Sequence, residues 1–273
     1  MFDFKKLILS ASGLLLLSGC IIVTDGHRVA DIRETKTLRL NTEQLERFKI
    51  DAGAGSLTVI GEQDRQVIEV KADIVSHDRE YILTLSERND SAVLVADTRS
   101  GGWSFGPGNS PKIDLVVYMP ENMALEVDDG SGSMAVKRLL QSVSIKDGSG
   151  SIELENIQGA ISIEDGSGSL SVAEAGSNVI IDDSSGDIDV SKVKGNLTIE
   201  DGSGSISAKQ ITGNVVVDDG SGFLGIREIS GHVTISDGSG GISVHDVAQG
   251  LNILEAGSGD LTFDNITGPV SVL

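Results

Sequence analysis

Cysteine is almost missing from this chain: one residue in 273, at position 20. A lone thiol excludes intrachain disulfides and thiolate-rich zinc sites. Aromatic residues make up 3% and include a single Trp, so any core must be built from small aliphatic side chains. Cations are scarce as well, with 21 Lys and Arg against 41 Asp and Glu and a net charge of −20. Nucleic acid and anionic headgroups are recognised by clustered Lys and Arg, and that balance excludes them as partners. Inorganic cations and positively charged partners suit such a surface better. The four histidines, His27, His77, His232 and His245, show no metal-ligand spacing and read as scattered surface positions.

The longest apolar run, Leu7 to Leu17, is too short for a membrane helix. It follows Lys5 and Lys6 and precedes small residues, which is the layout of a secretory signal over residues 1–19. Leu17-Ser18-Gly19-Cys20 resembles the bacterial lipobox, which implies that Cys20 becomes a lipidated N-terminus. With Ile21 rather than Asp after it, the same resemblance implies an outer-membrane lipoprotein on a tether over residues 20–34.

What the chain has in abundance is glycine, 34 residues, most of it inside a repeat. Asp129, Asp147, Asp165, Asp183, Asp201, Asp219 and Asp237 follow one another at intervals of 18, and most of them open a D-G-S-G stretch. A fixed short period of this kind means a solenoid or array. Around Asp147 the apolar residues are Val143, Ile145, Ile152, Leu154 and Ile157; around Asp201 they are Leu197, Ile199, Ile206, Ala208 and Ile211. Each copy is therefore two short alternating strands around a D-G-S-G turn. A second turn, usually closed by Gly, leads into the next copy. Nine plus nine residues describe a flattened coil with two facing sheets, and parallel crossovers favour right-handed coiling. The expected fold is all-β: a parallel, right-handed two-sheet β-solenoid over residues 123–273. Residues 35–122 read as irregular β coils or a cap, with a helical turn placed between Thr35 and Lys49.

A lipobox, a β-rich N-terminal region and tandem D-G-S-G-S-I copies together resemble the "putative-adhesin" family of bacterial envelope proteins, a family defined without an assigned function. The resemblance implies a β-solenoid in the cell envelope and supplies no catalytic residues.

The aspartates suit turn starts, because a carboxylate bonds its own backbone two residues on and glycine takes positive φ. Stacked ~4.8 Å apart, however, they repel by about 0.9 kcal/mol per pair even in water. Backbone donors, water or Ca²⁺ must offset that, so a cation ladder is the second reading of the row. Trp103 and Phe105 lie in a Gly- and Pro-rich loop and mark a candidate contact surface. The G-x-S-x-G match around Ser104 lacks the following helix that a nucleophile elbow needs. Ser133, Ser151, Ser169 and Ser205 form one polar row and Asn178, Asn196 and Asn214 another, with Phe223 and Gly241 interrupting the first. Lys137, Lys146, Lys209 and Arg227 read as scattered, with no cluster aligned between coils. The expectation is a non-enzymatic, adhesin-like module for a protein or glycan ligand, without a cofactor. Alternatives are a β-helix enzyme acting on polysaccharide and a self-assembling scaffold. Val270 and Val272, alternating inward in the last coil, add an expectation of weak self-association there.

Overall fold

Alternation of apolar and polar residues along every segment becomes two facing sheets in the computed structural model, which describes residues 32–76, 81–98 and 110–273. No helix among the described residues is long and apolar enough to cross a membrane. The irregular part contributes β1 (Ile32–Asn41), β2 (Arg47–Ala54), β3 (Leu57–Glu62), β4 (Val67–Ser76), β5 (Ile82–Arg88), β6 (Ser91–Asp97) and β7 (Lys112–Pro120). The long β8 (Ala124–Leu139) opens the regular stack. Strand pairs then repeat: β9 (Val143–Asp147), β10 (Gly150–Ile157), β11 (Ile161–Asp165), β12 (Gly168–Ala175), β13 (Val179–Asp183) and β14 (Gly186–Val193). They continue as β15 (Leu197–Asp201), β16 (Ile206–Ile211), β17 (Val215–Asp219), β18 (Gly222–Ile229), β19 (Val233–Asp237), β20 (Gly240–Val247), β21 (Leu251–Ala256), β22 (Leu261–Ile266) and β23 (Val270–Val272).

Odd strands from β9 onward form sheet B and even strands from β10 form sheet A, each strand parallel to its equivalent one coil away. β8 serves both sheets, its first half pairing with β9 and its second with β10. The register is an unbroken shift of 18 until one extra residue enters at β21, where the pairing slips between Ile235 and Ser236. Val143, Ile145, Ile152, Leu154 and Ile157 are all buried, as are their equivalents in the following coils as far as Ile253, whereas Leu261 and Ile266 are only partly buried and Phe263 is exposed. The expected parallel two-sheet solenoid is what the chain forms. Val270 and Val272 do continue the interior rows of Leu251 and Ile253, but stand about half exposed in the last coil.

The N-terminal region stacks out of chain order. β2 and β3 pair in parallel with both halves of β8 on one side. On the other side they pair with β6 and β7. A coil that comes later in the chain thus lies outside one that comes earlier. Antiparallel strands close this end: β4 and then β1 extend sheet A beyond β7, and β5 extends sheet B beyond β6. The helical turn expected between Thr35 and Lys49 is not there. Thr35 to Asn41 belongs to β1, whose residues alternate between half-buried and exposed, and Arg47 begins β2. Pairing with β4 makes use of that two-residue period, which a helix would scatter around its axis.

Each regular coil carries one left-handed residue that is not glycine. Arg138, Asn156, Glu174, Lys192, Gln210, Glu228, Asp246 and Asn265 have φ between 50° and 61°. Each sits one residue before the last buried aliphatic of its sheet A strand, where the ladder skips a residue, as between Glu155 and Ile157. This kink turns Ile157 and its equivalents inward to close the core. Left-handed geometry costs an ordinary side chain roughly 1–2 kcal/mol, and Asn at two of the eight positions lowers that cost.

Candidate functional site

The seven repeat aspartates fall on consecutive rungs of sheet B, paired Cα to Cα from Asp129 through Asp237. They share the inward parity of the two aliphatics before them, so the carboxyls line the interior and none is more than 7% exposed. The amides of Ser167, Ser185, Ser203, Ser221 and Ser239 donate to Oδ1 of the aspartate two residues back, at 3.0–3.2 Å. Oδ2 of all seven is buried without a hydrogen-bond partner, and Asp147 has neither oxygen paired. The row begins beside Ala52 and ends beside Ala256, which occupy the equivalent position in the flanking coils. Burial first, and the neighbouring Asp147 second, push Asp129 up to about 7. Burial and the carboxyls of Asp201 and Asp237 push Asp219 up to about 6. The other five are raised too, burial being the main cause in each. Calcium takes six to eight oxygen ligands, whereas the row leaves about one uncommitted oxygen per rung. No group of three or more His, Cys, Asp or Glu among the described residues is arranged to hold a metal ion.

The asparagine row is a hydrogen-bond ladder at the second turn. Oδ1 of Asn178, Asn196 and Asn214 accepts the amide of the residue 18 positions on, at 2.9 Å, ending at His232. The serine row is in register from Ser133 to Ser169 and then passes through Asp187, whose carboxylate takes the Ser205 amide at 3.0 Å. Both rows are structural. Cys20, Trp103, Phe105, Ser104, His27 and His77 lie outside the described residues; the segment with Trp103 and Phe105 joins β6 to β7.

A different surface draws chemistry together on the outer face of sheet A, over β16, β18 and β20. Phe223 is 54% exposed, and its ring lies against Gly225 and Gly241. A Cβ on either glycine would stand 3.3–3.4 Å from a ring carbon. The glycines that break the polar rows thus leave room for the ring, more than half of whose residue is exposed. Beside it, Lys209, Arg227 and His245 occupy one row on successive rungs. This corrects the expectation that no cations align between coils, since the spacing of 18 puts Lys209 and Arg227 on adjacent rungs of one line along the rod, with His245 next. His245 is held between two partners, with Nε2 2.8 Å from Ser243 Oγ and Nδ1 2.5 Å from Asp264 Oδ1. Sequence reading missed this trio because Asp264 is 19 residues on, displaced by the inserted residue in β21. Hydroxyls of Ser207, Ser243 and Thr262 fill the row between the ring and the cations, interrupted by Gly225.

Ser243, His245 and Asp264 have the connectivity of a nucleophile, base and orienting acid. Acyl transfer also needs donors aimed at a developing oxyanion, and β20 is paired on both sides, by β18 and β22, which commits its amides to the ladder. The face is also flat. Its groups are suited to holding a polar ligand against an aromatic platform.

Comparison with curated proteins finds no match. Among solved structures, a protein of Parabacteroides distasonis titled "putative lipid binding protein" is 17% identical with a TM-score of 0.56, covering 84% of this chain and 96% of its own. A "putative cell adhesion protein" of Clostridium sporogenes is 12% identical with a TM-score of 0.34, covering 87% of this chain and 100% of its own. A "putative adhesin" of Bacteroides fragilis is 11% identical with a TM-score of 0.37, covering 88% and 97%. The family model described as Toastrack DUF4097 matches residues 45–227, well over half of the chain and most of the solenoid. The chain belongs to the Toastrack DUF4097 family.

Proposed function

We propose that this protein is a non-enzymatic, lipid-anchored rod of the bacterial cell envelope that binds a glycan on the outer face of sheet A. The observation that carries the reading is the exposed Phe223 ring against Gly225 and Gly241, on the same face as Arg227, Ser243 and His245. An aromatic face offers apolar contact to the C–H side of a sugar ring, while hydroxyls and cations around it meet ring hydroxyls and acidic substituents. Mixed donors and acceptors set out on a flat, rigid sheet favour a repetitive polar ligand over a globular partner. The adhesin-like role implied by the D-G-S-G repeats agrees with this surface.

Two measurements test the two halves of the proposal. Binding of the full chain carrying Cys20→Ala to an immobilised glycan panel should yield a ligand whose affinity falls about tenfold or more in Phe223→Ala, the scale of a lost aromatic anchor. The melting temperature should hardly change, because the ring is exposed. If no glycan binds, or Phe223→Ala binds as wild type does, the glycan reading is wrong. For the anchor, fatty-acid label should enter the wild-type protein in cells and be lost in Cys20→Ala. Label retained in that variant would refute lipidation at Cys20.

A further inference from the structure

We propose that the interior aspartates form one proton-sharing column, in which neutral carboxyls alternate with ionised ones and each neutral Oδ2–H donates to the carboxyl of the next rung. Three observations carry it. The seven side chains are in register on successive rungs, which brings each within bridging reach of the next at the ~4.8 Å spacing of a sheet. Oδ1 is fixed by the turn amide in five of the seven, so Oδ2 is the oxygen that faces its neighbours, and Oδ2 is buried and unpaired in all of them. Among the described residues, no cation lowers the charge of the column. The ionisable groups felt from the strands around it are themselves acids: Asp128 beside Asp129, Asp182 beside Asp183, Asp187 near Asp201, Asp218 beside Asp219 and Glu255 near Asp237.

Seven stacked, buried carboxylates on which no cation among the described residues acts cannot all keep their charge. Protonating alternate rungs removes every nearest-neighbour repulsion and gives each orphaned oxygen a partner in the same step. With seven rungs this puts the neutral carboxyls on the first, third, fifth and seventh; protonating the whole row would also do both, but takes up three further protons. Ala52 and Ala256 end the chain of donors cleanly, so the column is a closed unit of seven rungs. Its members titrate as a set rather than one by one.

The upward displacement of all seven groups by burial agrees with this arrangement. It is independent of what the outer face binds.

Infrared spectroscopy of the full chain carrying Cys20→Ala, read at the carbonyl stretch of protonated carboxyls, tests the column near neutral pH. The expected band corresponds to about half of the seven groups and fades as the pH rises through neutral. Asp201→Asn, in which an amide replaces the fifth carboxyl of the seven at nearly the same shape, should lower the band and narrow the titration by splitting the column. Absence of a protonated-carboxyl band at neutral pH in the wild-type protein would overturn the proposal. So would a melting temperature that drops on adding chelator and recovers with Ca²⁺, since cations would then be filling the protons' place. If Asp201→Asn does not fold, the wild-type spectrum still decides.

Discussion

Gly204→Ala is expected to remove more than about 4 kcal/mol of folding stability, at the far end of what one substitution does. Gly204 has φ of +150°, and a Cβ there would stand 1.6 Å from the carbonyl oxygen of Gly186 and 2.5 Å from its carbon. Neither rung can retreat. The Gly204 amide donates to Ser221 at 3.0 Å and the Gly186 amide to Ser203 at 2.9 Å, so opening the gap breaks the ladder on both sides. The same position is glycine in every regular coil from Gly132 to Gly240, with Cβ clearances of 1.4–1.8 Å. Gly225→Ala is the control: its new Cβ would meet a Phe223 ring carbon at 3.3 Å and no backbone closer than 3.8 Å. A loss within about 1 kcal/mol is expected there. Urea denaturation of the two variants beside wild type measures both. Equal losses would mean that contact between stacked backbones is not what requires glycine in the turn.

Acidification from pH 8 to pH 5 is expected to stabilise the rod, against the usual tendency of folded proteins toward acid denaturation. Two carboxylates on adjacent rungs about 4.8 Å apart repel by about 3.5 kcal/mol at an effective dielectric of about 20. Burial adds to this, and together they raise all seven aspartates in the folded state, Asp129 to about 7 and Asp219 to about 6. Between pH 4 and about 7 the folded chain therefore holds protons that the unfolded chain has released, and stability falls as pH rises through that window. Each unit of displacement is worth about 1.4 kcal/mol, which makes several kcal/mol a fair order of magnitude for the whole row. Melting temperatures at constant ionic strength should decline from pH 5 to pH 8. Asp219→Asn keeps an oxygen to accept the Ser221 amide, removes one charge, and should flatten the decline while raising the melting temperature at pH 8. A stability that is level or rising across this range would show that the carboxyls are not confined as the fold implies.

The regular part of the fold was legible because its signals reinforce one another. The interval of 18 fixes the rung, parity fixes the face, and D-G-S-G marks the turn. Burial of the aspartates was also readable from Val143, Ile145 and Asp147, which share parity and therefore a face; reading the Asp as a turn residue or a rung of a cation ladder hid this. The N-terminal order was not legible. β6 and β7 alternate as well as any strands in the chain, but alternation names a face and not a partner, and no repeat sets their register. The left-handed position was hidden because Arg, Glu, Lys and Gln, which do not announce positive φ, stand at five of the eight coils, and Asn or Asp at only three. The row of Lys209, Arg227 and His245 needed only the period of 18 to be applied to charged residues as it had been to apolar ones.

Because every hydrogen bond between coils runs along the rod, a pull on its two ends loads one rung interface at a time. A detached coil of 18 residues stretches to roughly 60 Å at about 3.4 Å per residue, where it had occupied about 4.8 Å of rod. The repeat thus doubles as a reserve of length, released in equal steps under tension.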